Sequence, residues 1–202
     1  MSTLLQINAS LAGSHGVSSQ LADRFVSDWA AQHPAGHVLK RDLATDPVPH
    51  LTAERFQAFL SKPEARTVEQ QAVSEYSEAL VDELKVADTI VFAVPMYNFS
   101  VPSTLRSYFD HIARAGITFR YTANGPEGLL KGKKAYVFIT RGGVYSGGVD
   151  TQTPYLKQFL GFLGITDVQF VYAEGLSMGD ENRQKSLSAA HDAIGELLPH
   201  AA

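Results

Sequence analysis

Along this chain, short apolar runs alternate with stretches whose apolar residues recur every three or four positions. Four runs, Leu4–Asn8, Thr89–Pro95, Lys134–Thr140 and Val168–Glu174, are rich in β-branched and aromatic residues. The stretch Thr89-Ile90-Val91-Phe92-Ala93-Val94 is apolar on both faces, as a strand is when helices cover both sides of a parallel sheet. A fifth run, His37–Asp42, alternates and reads as a strand nearer an edge. Helical spacing predicts helices over Ser18–Ala31 (Leu21, Phe25, Trp29), Thr67–Val86 (Val73, Tyr76, Leu80, Leu84), Ser103–Ile112, Pro154–Leu163 and about Glu181–Leu198.

Strands alternating with helices call for a parallel sheet with right-handed crossovers. With five strands, the expected α/β architecture is flavodoxin-like, in strand order 2-1-3-4-5 with helices on both faces. Long insertions fall at Thr45–Arg66 and Gly116–Leu130. No repeat or linker interrupts the pattern, so residues 1–202 are expected to form one domain.

In open sheets of this kind ligands bind beyond the carboxyl ends of the strands, near the switch point. After the first strand comes Ala9-Ser10-Leu11-Ala12-Gly13-Ser14-His15-Gly16-Val17-Ser18-Ser19, small and hydroxyl-rich, leading into a helix. Unpaired amides and the helix dipole favour an anion there. The segment matches neither G-x-G-x-x-G nor a P-loop, and a phosphate monoester fits it best. The alternative is an ordinary loop with a serine cap. The third strand ends in Pro95-Met96-Tyr97-Asn98-Phe99, a stiff aromatic loop. The fourth ends in Thr140-Arg141-Gly142-Gly143, where the glycines permit close approach of a flat ligand or simply make a turn. One loop suited to phosphate and two suited to a planar ring suggest a flavin mononucleotide.

Composition narrows the chemistry further. The chain has no cysteine, which excludes disulfides, Cys-ligated metals, a catalytic thiol and Cys-linked flavin. The net charge of −4 and the absence of any basic cluster argue against nucleic acid and anionic membranes. No apolar stretch is long enough to span a bilayer, and no basic leader precedes the first strand, so a cytoplasmic protein is expected. The seven histidines contain no H-E-x-x-H, so no metal is expected.

Ser10 with Gly13, Pro95–Phe99, Arg114-Ala115-Gly116-Ile117-Thr118-Phe119-Arg120-Tyr121, Asn124–Leu129, Thr140–Gly143 and Phe159-Leu160-Gly161-Phe162-Leu163-Gly164-Ile165 together resemble the FMN-dependent NADH azoreductases. These belong to the flavodoxin-like quinone reductases, and the resemblance spans essentially the whole chain. It implies a homodimer with one non-covalent FMN per subunit near the interface. NADH would donate, and quinones or aromatic azo compounds would accept, in a ping-pong cycle. Ser10 and Gly16-Val17-Ser18 would hold the phosphate and ribityl end. Met96, Tyr97, Asn98 and Phe99 would flank the ring, and Thr140, Arg141, Gly142 and Gly143 would contact its pyrimidine side. The flavin would carry the chemistry, with no catalytic side chain required. Relatives often have Ser-x-Ser where this chain reads Gly16-Val17-Ser18, and some have His where it has Tyr145.

Phe119, Tyr121 and Phe162 are the candidates for an aromatic pocket over the ring, reaching across the dimer interface, and Tyr145 is a further candidate substrate contact. For Phe162, core packing beside Phe159 and Leu163 is an equal alternative. Two rival functions compete with this reading. Gly175-Leu176-Ser177-Met178-Gly179 matches a serine-hydrolase elbow, but too little chain follows for an acid and a histidine on later strands. A one-electron flavodoxin-type carrier would be shorter and more acidic.

Overall fold

The computed structural model describes residues 2–198. Seven strands are present: β1 (Thr3–Asn8), β2 (His37–Asp42), β3 (Thr89–Pro95), β4 (Phe119–Thr122), β5 (Gly125–Gly128), β6 (Lys134–Thr140) and β7 (Asp167–Ala173). The helices are α1 (Val17–Gln32), α2 (Ala53–Leu60), α3 (Val68–Val86), α4 (Ser103–Ile112), α5 (Gln152–Leu163) and α6 (Asp180–Leu197). A five-stranded parallel sheet runs β2-β1-β3-β6-β7, and β4 and β5 form a separate antiparallel pair. With the hairpin set aside, this is the expected 2-1-3-4-5 order.

The period-2 alternation of each central strand explains how one sheet feeds two cores. Leu5 and Ile7 of β1, Ile90, Phe92 and Val94 of β3, and Val137 and Ile139 of β6 pack with α3, α4 and α5. Their sequence neighbours Leu4, Val91, Ala93, Tyr136 and Phe138 pack with Phe25 and Trp29 of α1 and Ile194 of α6. Phe25 sits 4.3 Å from the Tyr136 ring centre. Each such fully buried aromatic stabilises the fold by about 1.5–3 kcal/mol.

Both insertions hold regular structure. Thr52 starts α2 by accepting the Arg55 amide on Oγ1 at 3.3 Å. The second insertion is the β4–β5 hairpin, closed by Thr122 Oγ1 donating to the Gly125 carbonyl at 2.7 Å. The hairpin lies on the end of α5, where the Leu130 amide donates to Leu163 O at 2.8 Å. Gly128 touches Gly164 so closely that a Cβ at 128 would lie 2.5 Å from the Gly164 Cα. Gly164 itself ends α5 at φ 98°, a left-handed conformation that favours glycine.

Candidate functional site

The loops after β1, β3, β6 and β7 meet at one end of the sheet. At the first, α1 begins behind Gly16 with no side-chain cap and no acidic residue in its first turn. Gln20 is the first helix amide with a backbone carbonyl to bond, at 3.0 Å, so the amides of Val17, Ser18 and Ser19 remain open to a ligand. The Ser18 and Ser19 hydroxyls are fully buried and have no partner among the described residues. Leaving such groups unpaired is costly, which marks this helix end as a place built to receive acceptor atoms. Gly16 is required here, because a Cβ at 16 would press on the Ser10 side chain, 2.7 Å from its Cβ. Ser10 is itself buried, and its Oγ accepts the Ala12 amide at 3.3 Å.

Beyond β3 the chain reverses between Tyr97 and Ser100, whose amides and carbonyls pair reciprocally at 3.0 Å. Asn98 and Phe99 form the tip at φ 48° and 62°. Two successive positive φ values are the signature of a type I′ turn, and each costs about 1–2 kcal/mol for a residue with a side chain. Such strain is held in place by its surroundings and is characteristic of ligand-binding loops. The Thr151 hydroxyl holds the Phe99 carbonyl.

Beyond β6, the carbonyls of Arg141, Gly142 and Gly143 accept the amides of Leu176, Ser177 and Gly175 at 3.1, 3.0 and 2.9 Å. The Gly142 and Gly143 amides have no protein acceptor among the described residues and are free to donate. The Tyr145 ring lies against Gly143 and makes an edge contact with Phe99, centre to centre 5.9 Å.

Arg141 anchors this loop from inside. Its guanidinium is fully buried and turned into the protein, donating to Asp150 at 2.6 Å, Glu174 at 2.9 Å and Gln152 at 3.0 Å. Burial pushes the Asp150 carboxyl up, but the Thr153 hydroxyl and amide and Arg141 outweigh it, leaving Asp150 below the usual carboxylate range. Burial raises Glu174 likewise, and the Ser146 hydroxyl, the Tyr145 amide and Arg141 bring it below. Arg141 therefore shapes the loop rather than presenting a charge to a ligand.

A cavity of about 320 Å³ opens between these loops, lined by Ser10, Gly16, Val17, Met96, Tyr97, Thr140, Arg141 and Gly142 from the sequence reading. Asn98 lines an adjoining cavity of about 690 Å³, which shares Met96 and Tyr97 with the first. Ser18 lies buried behind the helix end; Phe99 and Gly143 stand outside the lining. Of the candidate substrate aromatics, Tyr145 stands beside Gly143 and Phe99, whereas Phe119, Tyr121 and Phe162 do not line this cavity. Phe119 is buried against Phe162 at 4.3 Å, Phe162 is half-buried on α5, and Tyr121 is 76% exposed on the hairpin.

Leu176 and Ser177 also line the first cavity, and the sequence reading missed them. The signal was present in the Gly-x-Ser-x-Gly run. Gly175 at φ 69° turns the chain after the edge strand so that the next amides meet the 141–143 carbonyls. The Ser177 side chain packs against Gly142, where a Cβ would lie 3.0 Å from its hydroxyl oxygen. Among the described residues no group of three His, Asp or Glu is placed to hold a metal. His33 and His37, four apart, straddle the end of α1 and the start of β2; His200 lies outside the described residues.

Such a parallel sheet, carrying an anion cradle and amide-lined loops at its switch point, defines a flavodoxin-like protein. The model of a flavodoxin-like fold family matches residues 2–198. A protein of Cellvibrio japonicus named FMN-dependent NADH:quinone oxidoreductase is 54% identical over 198 residues, 98% of this chain and 99% of its own. Among solved structures, the azoreductase from Bacillus anthracis str. Sterne superposes with a TM-score of 0.89 at 27% identity, covering 98% of each chain. An FMN-dependent NADH-azoreductase from Bacillus anthracis str. Ames Ancestor, solved with FMN, gives 0.86 at 30% identity over 98% of this chain and 99% of its own. The chain belongs to the flavodoxin-like family of FMN-dependent NADH:quinone oxidoreductases.

Proposed function

We propose that the chain binds FMN without a covalent link and oxidises NADH at the expense of quinones, and that it also cleaves aromatic azo compounds reductively. The observation that carries this reading is the meeting of an uncapped helix start and the free Gly142 amide at one cavity. The residues fit the cofactor on chemical grounds. The uncapped start of α1 at Gly16 and Val17, which line the cavity, would supply backbone donors for a phosphate, with no carboxylate in the first turn of α1 to repel it. Met96, Tyr97, Asn98 and Phe99 would flank the flat ring. The Gly142 and Gly143 amides would donate to its pyrimidine edge, where they would favour the charge gained on reduction without a general acid.

When bound, FMN supplies the hydride and electron transfer between donor and acceptor. The chain's part is to orient the ring, keep one face open and exclude water from the other. Donor and acceptor are both flat, so they take turns at one place, in a ping-pong order. Opening an azo bond to two amines takes two such turns. Leu11, Phe99, Val144 and Met178 are exposed apolar side chains on the surrounding loops. A homodimer that brings Tyr121 and Phe162 toward the partner's ring would cover them. No helix among the described residues is long and apolar enough to cross a membrane.

The test is the visible spectrum of the purified chain followed by anaerobic titration with NADH. Bleaching of a bound flavin, then turnover with a quinone and an azo dye along parallel double-reciprocal lines, is expected. A colourless chain that takes up no FMN sinks the reading. Bound FMN that NADH does not reduce would place the chain among one-electron carriers instead.

A further inference from the structure

The two loops that would clamp the ring are joined beneath the cavity by one side chain. Gln152 opens α5 and is fully buried. Its Oε1 accepts from Arg141 Nε at 3.0 Å. Its Nε2 donates to the carbonyls of Pro95 and Ser100, both at 3.2 Å. The amide's orientation is unambiguous, because a guanidinium only donates and a carbonyl only accepts. Pro95 is the last residue of β3, and Ser100 closes the strained Asn98–Phe99 turn. Arg141 is the first residue beyond β6 and leads into Gly142 and Gly143.

We propose that Gln152 is a positioning residue, which locks the loop after β3 to the loop after β6 and so sets the spacing of the flavin cradle. The role rests on the FMN reading above. Glutamine is suited to it by having an acceptor at one corner and two donors at the other. A hydrocarbon of equal length would leave the Arg141 Nε without its acceptor and remove the donor that the Pro95 and Ser100 carbonyls share. Glutamate would keep the bond to Arg141 while setting an anion against the two carbonyls. The neighbouring Thr151 hydroxyl, on the Phe99 carbonyl, ties the same turn from outside. Asp150 Oδ1 accepts the Gln152 and Thr153 amides at 3.0 and 3.1 Å, which fixes the start of α5 from which Gln152 reaches.

The experiment compares wild type with Gln152→Met, Gln152→Glu and Thr151→Val. Measured quantities are FMN affinity by fluorescence quenching, the position of the bound flavin's visible bands, its midpoint potential, and the thermal midpoint of the apoprotein. For Gln152→Met an FMN dissociation constant about tenfold higher is expected, the change that a few lost hydrogen bonds produce. A displaced visible band and a shifted potential should accompany it, because the Gly142 and Gly143 amides no longer sit at their wild-type spacing. Gln152→Glu should show the same spectral change despite keeping its contact with Arg141. Should Gln152→Met fail to fold, Gln152→Glu and the exposed Thr151→Val carry the test, the latter with a smaller change of the same sign. Wild-type affinity, bands and potential in every folded variant overturn the proposal, even where the thermal midpoint falls. If the wild-type chain itself takes up no FMN, the flavin reading fails and the proposal falls with it.

Discussion

The Tyr97 phenol oxygen accepts the backbone amide of Leu11 at 3.2 Å, joining the loop after β3 to the loop after β1. Both loops line the same cavity, so this bond ties the phosphate end of the site to the ring end. A neutral hydrogen bond of this kind contributes about 1 kcal/mol net. Tyr97→Phe keeps the ring and removes only the oxygen. The expected outcome is an FMN dissociation constant raised by about fivefold with little change in thermal midpoint, read by fluorescence titration. An unchanged dissociation constant would show that the two loops hold their positions without it.

The Gly16 position argues a second prediction. A side chain there would collide with Ser10, whose Cβ would stand 2.7 Å from the new Cβ. Gly16→Ala should therefore destabilise the chain by about 1–3 kcal/mol, as overpacking does. For a domain of this size that is a fall of about 2–4 °C per kcal/mol in the thermal midpoint. The double variant Ser10→Gly with Gly16→Ala should recover most of the loss, because the two sites share one space. A double variant no better than the sum of its parts would contradict the shared-space account.

How far the sequence carries depends on what each residue answers to. The central strands were legible because burial on both faces leaves a run such as Ile90–Val94 no alternative to apolar residues. Loop positions at the carboxyl ends followed from topology, and eight of the expected cofactor residues line one cavity. Side-chain direction was not legible. Nothing local to Arg141 reveals that Asp150, nine residues on, and Glu174, on the far side of β7, turn its guanidinium inward. Leu176 and Ser177 were missed because their place depends on pairing with the 141–143 backbone, a contact between two loops far apart in sequence. The hairpin left a local trace in Asn124-Gly125, a turn-forming pair, but its four-residue strands are short and mostly exposed.

That hairpin supplies a third prediction. A Cβ on Gly128 would overlap the Leu163 and Gly164 backbone, which cannot move aside as a side-chain end does. Gly128→Ala should cost about 3 kcal/mol or more, by lifting the hairpin from α5 and breaking the 2.8 Å bond from Leu130 N to Leu163 O. Amide hydrogen exchange should show the loss concentrated at Leu130 and the Phe119–Gly128 segment, with β1 and β3 still protected. Uniform loss of protection would mean that the hairpin does not open independently of the sheet.

His111 sets a dependence on pH. It is fully buried on α4, with Nδ1 against the Ser107 carbonyl at 3.0 Å and Nε2 without a partner. The edges of Phe59 and Tyr76 pack around it. Burial holds its pKa below the ordinary histidine value; Arg55 and Arg114 push the same way, while the Ser107 carbonyl and Asp110 oppose them. With the folded value depressed, the unfolded chain takes up the proton first on acidification. The folded state therefore keeps its full stability above about pH 6.5 and loses it as pH falls below that value. One such group contributes at most about 1.4 kcal/mol per pH unit. Asp150 and Glu174, both depressed, extend the loss at more acidic pH, below about 4.5. Between pH 7.5 and 5.5 the effect belongs to histidine rather than to these carboxylates. Thermal midpoints of wild type and His111→Gln across that interval should diverge, with the wild type falling more steeply. Parallel curves would show that His111 does not titrate on unfolding.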